Sequence, residues 1–395
     1  MDGITIYFIE DVQRHLSVGI DLFFFTTQTS RLRGIKLLDK GTHFLHCSDY
    51  TNNCRFGLFI VCEPGDLFVV NIKEDAFEVV LVADSHGKVV DGVEFFESDM
   101  NLDDSVDNIN LSKYRGEVLA NLAYLLNYSQ FDNSQWRGIV GDVTWDQVRQ
   151  IIPKGTTSRK VSGAVTTTDS SKQENDSLLL AIRDASRNRT EKSAAYGNGQ
   201  EDKILSSLKE DVNANGELVF FPIDLKKTIR PNATVVEVTH DYLDKSWYLQ
   251  NVVCKQTNFL AEFEISFVFM MILNNFNSYR QWMNLMLVVL GCVDAVTENP
   301  GFFLRVIKIW KSQLELLPEE IVDDGMSNSG LVDLKLLAEP MGHFKSAIQS
   351  SGMPEFDYVV RLMRSKFSVE LVESEDDDDE SDYQSNDQND SDDYL

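Results

Sequence analysis

From Ile4 to Val93 the chain runs in short apolar and aromatic stretches, broken about every ten residues by turn signals. These stand at Gly19-Ile-Asp21, Asp39-Lys-Gly41, Asp49 to Asn53, Pro64-Gly-Asp66, His86-Gly87 and Asp91-Gly92. A β-sandwich or small barrel requires such spacing, because each strand must end at the sheet edge. The strands it predicts are Leu22 to Phe25, His43 to Cys47, Gly57 to Cys62, Leu67 to Ile72 and Phe77 to Val82. Over residues 111–152 the period changes. Val118, Leu119, Leu122, Leu125 and Leu126 recur at helical spacing, and Thr144-Trp-Asp-Gln147 reads as a helix start ahead of Val148, Ile151 and Ile152. Helices are therefore expected to close the first domain before Pro153-Lys-Gly155 stops the pattern.

Residues 156–204 are dense in Ser, Thr, Asn, Gln, Asp, Lys and Arg, with only Leu178 to Ile182 offering a short apolar helix, so a flexible insertion or linker is expected there. Order returns at Gly216. Glu217 to Ile223 is a strand candidate, and the rest to Lys366 reads as helical. Tyr242, Leu243, Trp247, Tyr248, Val252 and Val253 fit one helix, while Phe259 to Leu273, apolar nearly all round, predicts a central buried one. Trp282 to Leu290 predicts another, and Leu304, Ile307, Trp310, Leu314 and Leu317 mark an amphipathic stripe ending at Pro318. No internal repeat is visible, although stacked helices form superhelices without one. The division is α+β: a mostly β domain with closing helices over 1–155, a polar insertion over 156–215, a helical domain over 216–366 and a tail over 367–395. With 43% hydrophobic residues in 395, the chain can fill two ordinary cores.

Charge narrows the function. The formal net charge is -27, and residues 373–395 contain twelve Asp or Glu with no Lys or Arg, which leaves about -15 on the remainder. So acidic a surface repels a phosphate backbone and forfeits counterion release, which disfavours direct nucleic-acid binding. Asp2, Glu10, Asp11 and Arg14 interrupt the first 25 residues, so no signal peptide is expected, and Ile265 to Leu273 is too short to span a bilayer. Cys47, Cys54, Cys62, Cys254 and Cys292 form no CxxC pair, and their odd number fits reduced thiols of cytosol or nucleus.

Candidate chemistry is thin. His43-Phe-Leu-His46-Cys47, with Cys54 and Cys62, is the one metal-like cluster, but alternation along a strand sends His43 and His46 to opposite faces, and His46 and Cys47 likewise, against tetrahedral zinc. No nucleophile elbow, P-loop, dinucleotide fingerprint or HExxH is present, and Gly197-Asn-Gly199 lacks a following Lys-Ser/Thr. Asp294, Glu298, Glu319, Glu320, Asp323 and Asp324 could pair for acid-base work, though solvated helix ends explain them better. Two candidate regions remain at the C-terminus. Phe367-Ser368-Val369-Glu370-Leu371-Val372 is a β-prone run that suits addition to a partner's sheet edge or packing back on its own protein. Ser374, Ser381 and Ser391 sit among acids that suit acid-directed kinases, the alternative being a merely solubilising tail.

The residues also resemble a family. Gly19-Ile-Asp21, Arg33-Gly-Ile-Lys36, Gly41, His43-Phe-Leu-His46 and Phe56-Gly-Leu-Phe59 are similar to the N-terminal domain of the AAR2 family, the a-one cistron splicing factors. Ile229-Arg-Pro231, Tyr242 to Leu249, Glu262, Phe267, Asn275-Phe276 and Gln281-Trp282 resemble its helical domain, in order and at matching spacing. The resemblance implies a β-sandwich-like first domain, a VHS-like helical second domain, no enzymatic activity and no cofactor. It further implies an assembly chaperone of the U5 snRNP that binds the Prp8 scaffold at its RNase H-like and Jab/MPN domains in a cytoplasmic precursor, with possible nuclear shuttling, and blocks premature helicase docking. A C-terminal segment of the family adds a strand to the partner, and Phe367 to Val372 stands at that position. Gly291-Cys-Val-Asp-Ala-Val-Thr297, where phosphorylation-driven release is proposed for the family, has no serine here, and Asp294 supplies a charge instead. A metal-dependent enzyme in the β domain and a VHS-like membrane-traffic adaptor are the competing readings.

Overall fold

The computed structural model describes residues 3–13, 15–26, 31–51, 54–73, 77–84, 86, 89–91, 108–152, 161–174, 177, 217–322, 331–348 and 353–372. Among the described residues nine strands come first: β1 (Ile4–Phe8), β2 (Leu16–Ile20), β3 (Phe23–Thr26), β4 (Gly34–Leu38), β5 (Gly41–Asp49), β6 (Arg55–Cys62), β7 (Leu67–Ile72), β8 (Phe77–Ala83) and β9 (Val89–Asp91). Helix α1 (Asn108–Ala120), strand β10 (Leu125–Asn127), helices α2 (Ser134–Ile139) and α3 (Trp145–Ile151), and strand β11 (Val161–Ser162) follow. One sheet has the order β10-β4-β1-β7-β8-β9 and the other β11-β6-β5-β2-β3.

Both sheets are covered on both faces, which is why their strands read as continuous apolar runs. Ile4, Ile6 and Phe8 of β1 enter the space between the sheets with Leu45, Phe56, Leu58 and Ile60, whereas Tyr7 turns outward under Leu111 and Val118 of α1. On the second sheet Leu45 and Cys47 face the sandwich, while Phe44 and Phe59 face the helical half. The order of layers is α1, first sheet, second sheet, helices. Gly19 and Gly57 keep the last boundary close: a Cβ at 19 would sit 1.9 Å from the His46 ring, and one at 57 would sit 2.2 Å from the Phe44 ring.

The helical half contains α4 (Val235–Leu243), an irregular stretch Ser246–Gln256 with a π turn at Leu249–Val253, α5 (Phe259–Leu273), α6 (Phe276–Leu290), α7 (Val293–Glu298), α8 (Pro300–Leu316), α9 (Ala338–Ile348) and α10 (Pro354–Phe367). As its composition predicts, α5 is buried nearly all round. Buried polar groups tie it to its neighbours: Gln281 Nε2 of α6 donates to Glu262 Oε1 of α5 at 2.6 Å, and Trp282 Nε1 of α6 donates to Gln313 Oε1 of α8 at 2.8 Å. The halves share a core, with Phe269 of α5 5.8 Å from Phe44 and 5.5 Å from Phe59 between ring centroids. No single helix among the described residues is long and apolar enough to cross a membrane.

The structure corrects four expectations. The helical period through Leu126 ends at Ala120, and Leu125–Asn127 instead pairs parallel with β4, which lengthens the first sheet and leaves Leu119 and Leu122 exposed. The single helix expected over Tyr242 to Val253 is broken at Asp244, whose extended backbone lets its carboxylate accept from Ser246 N at 2.7 Å and from Val293 N and Asp294 N at 2.8 and 2.9 Å. Of the expected strand Glu217 to Ile223, only Leu218 forms a bridge, to Thr167. Within the expected linker, residues 161–174 are ordered: β11 pairs with β6, and buried Asn275 donates to the carbonyls of Ser162, Gly163 and Val165 at 2.8 to 3.2 Å. Apart from residue 177, the rest of 156–215 lies outside the described residues.

Candidate functional site

Phe367 to Val372 leaves the end of α10 in an alternating pattern. Phe367 is the last helical residue, Ser368 adopts a left-handed conformation (φ 55°), and Val369 N donates back to Met363 O at 3.1 Å. Val369 is 3% exposed, and Phe367 and Leu371 are half-buried against the helical core, whereas Ser368, Glu370 and Val372 face outward. Arg364 pairs with Glu370 at 2.6 Å. The backbone of Glu370, Leu371 and Val372 makes no hydrogen bond among the described residues. Beyond the left-handed Ser368 the chain leaves the helix, seats Val369 and Leu371 on the core, and leaves the backbone groups of residues 370–372 unused among the described residues. Ser374, Ser381 and Ser391 lie outside the described residues.

The His and Cys cluster has a different job. Asp21, fully buried with φ 57°, receives Phe44 N at 2.8 Å and the Tyr128 hydroxyl, and its Oδ2 lies 2.7 Å from His43 Nδ1. His43 Nε2 lies 2.9 Å from the Asp39 carbonyl. Two acceptors on the two ring nitrogens are satisfied together only by the imidazolium. Burial, the largest single influence, opposes that charge, but the Asp21 carboxylate and Asp39 together outweigh it and raise the His43 pKa. His46, against the Asp21 carbonyl at 3.0 Å, is lowered by burial to about 4. Burial pushes the Cys47 thiol up to about 12 and Cys62 well above its ordinary value, so neither is a thiolate near neutral pH. Among the described residues no group of three or more His, Cys, Asp or Glu could hold a metal.

The surface carboxylates also stand apart. Asp294 meets His240 at 3.0 Å, Glu298 receives Gln250 at 2.7 Å, Glu319 and Glu320 lie exposed on a single 3-10 turn, and Asp323 and Asp324 are outside the described residues. Buried Glu264 is a site residue that the hydrophobic pattern hides, its one signal in the sequence being a charge inside the apolar run of α5. Its Oε2 accepts Asp142 N at 2.8 Å, its Oε1 has no close hydrogen-bond partner among the described residues, and burial raises its pKa to about 8. Glu262, raised by burial to about 7, accepts from Phe221 N, Thr257 and Gln281. The Gly291 to Thr297 segment is held by Asp244 at the start of α7, and its Asp294 carboxylate is solvent-exposed.

Two family models match the chain: the AAR2 N-terminal domain over residues 3–153 and the AAR2 C-terminal repeat region over residues 220–373, together more than three quarters of its length. This chain belongs to the AAR2 family. No curated protein matches it. The AAR2 family is one of splicing and snRNP assembly factors, not of enzymes, and its role involves splicing-related protein interactions. Several residues that carry the likeness to AAR2 are structural: Glu262 and Gln281 bond each other, Asn275 pins β11, Trp282 meets Gln313, and Arg230 grips Asp241. They specify the AAR2 fold and leave the partner-facing residues open.

Proposed function

We propose that this chain is a U5 snRNP assembly chaperone that binds Prp8 at its RNase H-like and Jab/MPN domains, retains it in a cytoplasmic precursor, and blocks helicase docking until nuclear exchange. The observation that carries the proposal is the match of AAR2 models to both halves of one chain. The engaged nitrogens of His43 and the protonated thiols of Cys47 and Cys62 give the metal-enzyme alternative no support. In this proposal Phe367 to Val372 adds to a partner sheet through the unused backbone of Glu370 to Val372. Charge on the tail from Glu373, including phosphate on Ser374, Ser381 or Ser391, would tune that contact.

Affinity purification followed by mass spectrometry tests the partner: Prp8 and the other U5 proteins should co-purify, and their absence overturns the assignment. Truncation before Phe367 should weaken binding to the isolated RNase H-like domain by tenfold or more, about 1.4 kcal/mol. Unchanged affinity would rule out strand addition and leave the partner assignment intact.

A further inference from the structure

The largest apolar exposures in the described chain gather on one short helix. On α4, Val235 is 84% exposed, Val236 78%, Tyr242 70% and Leu243 71%. Val235 and Tyr242 stand seven residues apart, as do Val236 and Leu243, so the four form two adjoining rows on one face. Val293 of α7 is also exposed and close by, because the following Asp294 meets His240 of α4 at 3.0 Å.

This face is not a frayed edge. Thr234 and Glu237 form a reciprocal capping box, and fully buried Asp241 is held by Arg230 through Nε at 2.8 Å, Nη2 at 2.7 Å and the backbone N at 2.9 Å. Nor does helix stability call for these residues: exposed Val costs roughly 0.5 kcal/mol per site relative to Ala. A rigid helix that shows water its apolar side is arranged like the anchors of a helix-in-groove contact.

Charge selects the occupant. Around α4 stand Glu237, Asp241, Asp244 and Asp294, against Arg230 and Lys245, in a chain of net charge -27. That excess repels an anionic lipid surface and a second copy of the same chain. We infer that the outward face of α4, extended by Val293, is a docking ridge for an apolar groove bordered by Lys and Arg on another protein. The inference deepens the binding reading above by giving the helical half a contact face separate from Phe367 to Val372.

A benzoylphenylalanine in place of Val236 in the full-length chain, photolysed in cells, tests it, with the same group at exposed Leu119 on α1 as control. The expected adduct is a heterologous peptide with Lys or Arg beside its cross-linked residue, formed from 236 and not from 119. Asp294→Lys should lower its yield about fivefold, the effect of one charge pair near 1 kcal/mol. The double variant Val236→Asp with Leu243→Asp should reduce co-purification of the cross-linked protein at least tenfold without lowering the melting temperature. No adduct, an adduct to this chain or to lipid, or a yield indifferent to Asp294→Lys overturns the ridge. A qualifying adduct to Prp8 supports both readings, and one to an unrelated protein supports the ridge while counting against the scaffold assignment. Prp8 co-purifying without any adduct at 236 overturns the ridge alone.

Discussion

Replacing Glu264 by Gln should stabilise the protein, and increasingly so as pH rises. Glu264 points from α5 to the Gly141-Asp142 turn, accepts Asp142 N at 2.8 Å, and keeps a second buried oxygen without a close hydrogen-bond partner among the described residues. Burial is the largest influence on its pKa and raises it; the Asp142 backbone bond lowers it, the Asp142 carboxylate raises it, and Arg305, itself 2.7 Å from Asp142, lowers it. The outcome is a carboxyl raised from 4.5 to about 8. A group whose folded pKa lies above its unfolded value stabilises fully below the unfolded value and loses that contribution as pH climbs through the folded one. At 1.36 kcal/mol per unit, with the group half-titrated at either limit, the loss between pH 4.5 and pH 8 is roughly 4 kcal/mol. Gln is isosteric with the protonated acid and does not ionise, so E264Q should match the wild type near pH 4.5 and exceed it by several kcal/mol near pH 8.

Urea unfolding at a series of pH values, followed by fluorescence of the fully buried Trp136, Trp282 and Trp310, measures the difference directly. Glu262 and His43 also have raised values and give stability the same pH slope, but both are retained in the variant, so they cancel in the comparison. Parallel curves, offset by an amount that does not change between pH 5 and pH 8, would show that Glu264 is solvated and ionised in the fold and would refute the reasoning.

Asp21→Asn keeps a residue type that tolerates the left-handed backbone but removes the carboxylate beside His43; a loss of about 3 to 5 kcal/mol is expected in urea, and less than 1 would mean the buried pair is not held. The wild type should also carry a His43 contribution that is full below about pH 6.5 and fades as pH rises through the raised folded value, and the variant should lack it, as a histidine-resolved NMR titration would reveal. Asp244→Ala strips the acceptor from Ser246 N, Val293 N and Asp294 N and should cost about 2 to 3 kcal/mol, with faster hydrogen exchange at the start of α7 as its local signature. Val369→Ala should cost about 1 to 2 kcal/mol if the segment after α10 is seated on the core, and nothing measurable if it is detached.

The fold was legible wherever side-chain periodicity agreed with burial. Leu67 to Ile72 is a strand to the residue, and Phe259 to Leu273 is a helix to the residue, because two-sided burial writes a continuous apolar run in each. Strands β1, β2 and β4 do not stand out in the pattern: Ile4–Phe8 merges into a general apolar stretch, and Gly34-Ile-Lys36 carries a glycine at φ 150° and a charge within β4. Breaks made by a side chain's tertiary partner were illegible in principle, since Asp244 ends a helix only because the N–H groups of Val293 and Asp294, about fifty residues on, arrive at its carboxylate. The same holds for the site. Alternation along the strand already argues against a metal at His43, His46 and Cys47, but the partner that holds His43, the buried, φ-positive Asp21, shows only in the fold. The α4 ridge left a trace in its valines, but exposure decides between core and contact face, and exposure follows from packing alone.

The seat of Phe367 to Val372 constrains how a partner could use it. Burying Val369 and half-burying Phe367 and Leu371 contributes roughly 3 to 5 kcal/mol, while a few added strand hydrogen bonds give about 1 kcal/mol each. Peeling the segment away to form such a strand would therefore gain little. Peeling is also unnecessary, because in an extended chain the side chains and the backbone hydrogen-bonding groups project in perpendicular directions. Residues 367, 369 and 371 can stay on the helices while the edge of 370–372 accepts a neighbour. The helices beneath are joined to the second sheet through Phe269, Phe44 and Phe59, and through Arg55 Nη1, which donates to Ile272 O at 3.2 Å. A partner that engages both halves and the segment thus meets surfaces whose relative placement is fixed before it arrives, and the ordering cost that a flexible clamp would carry is avoided.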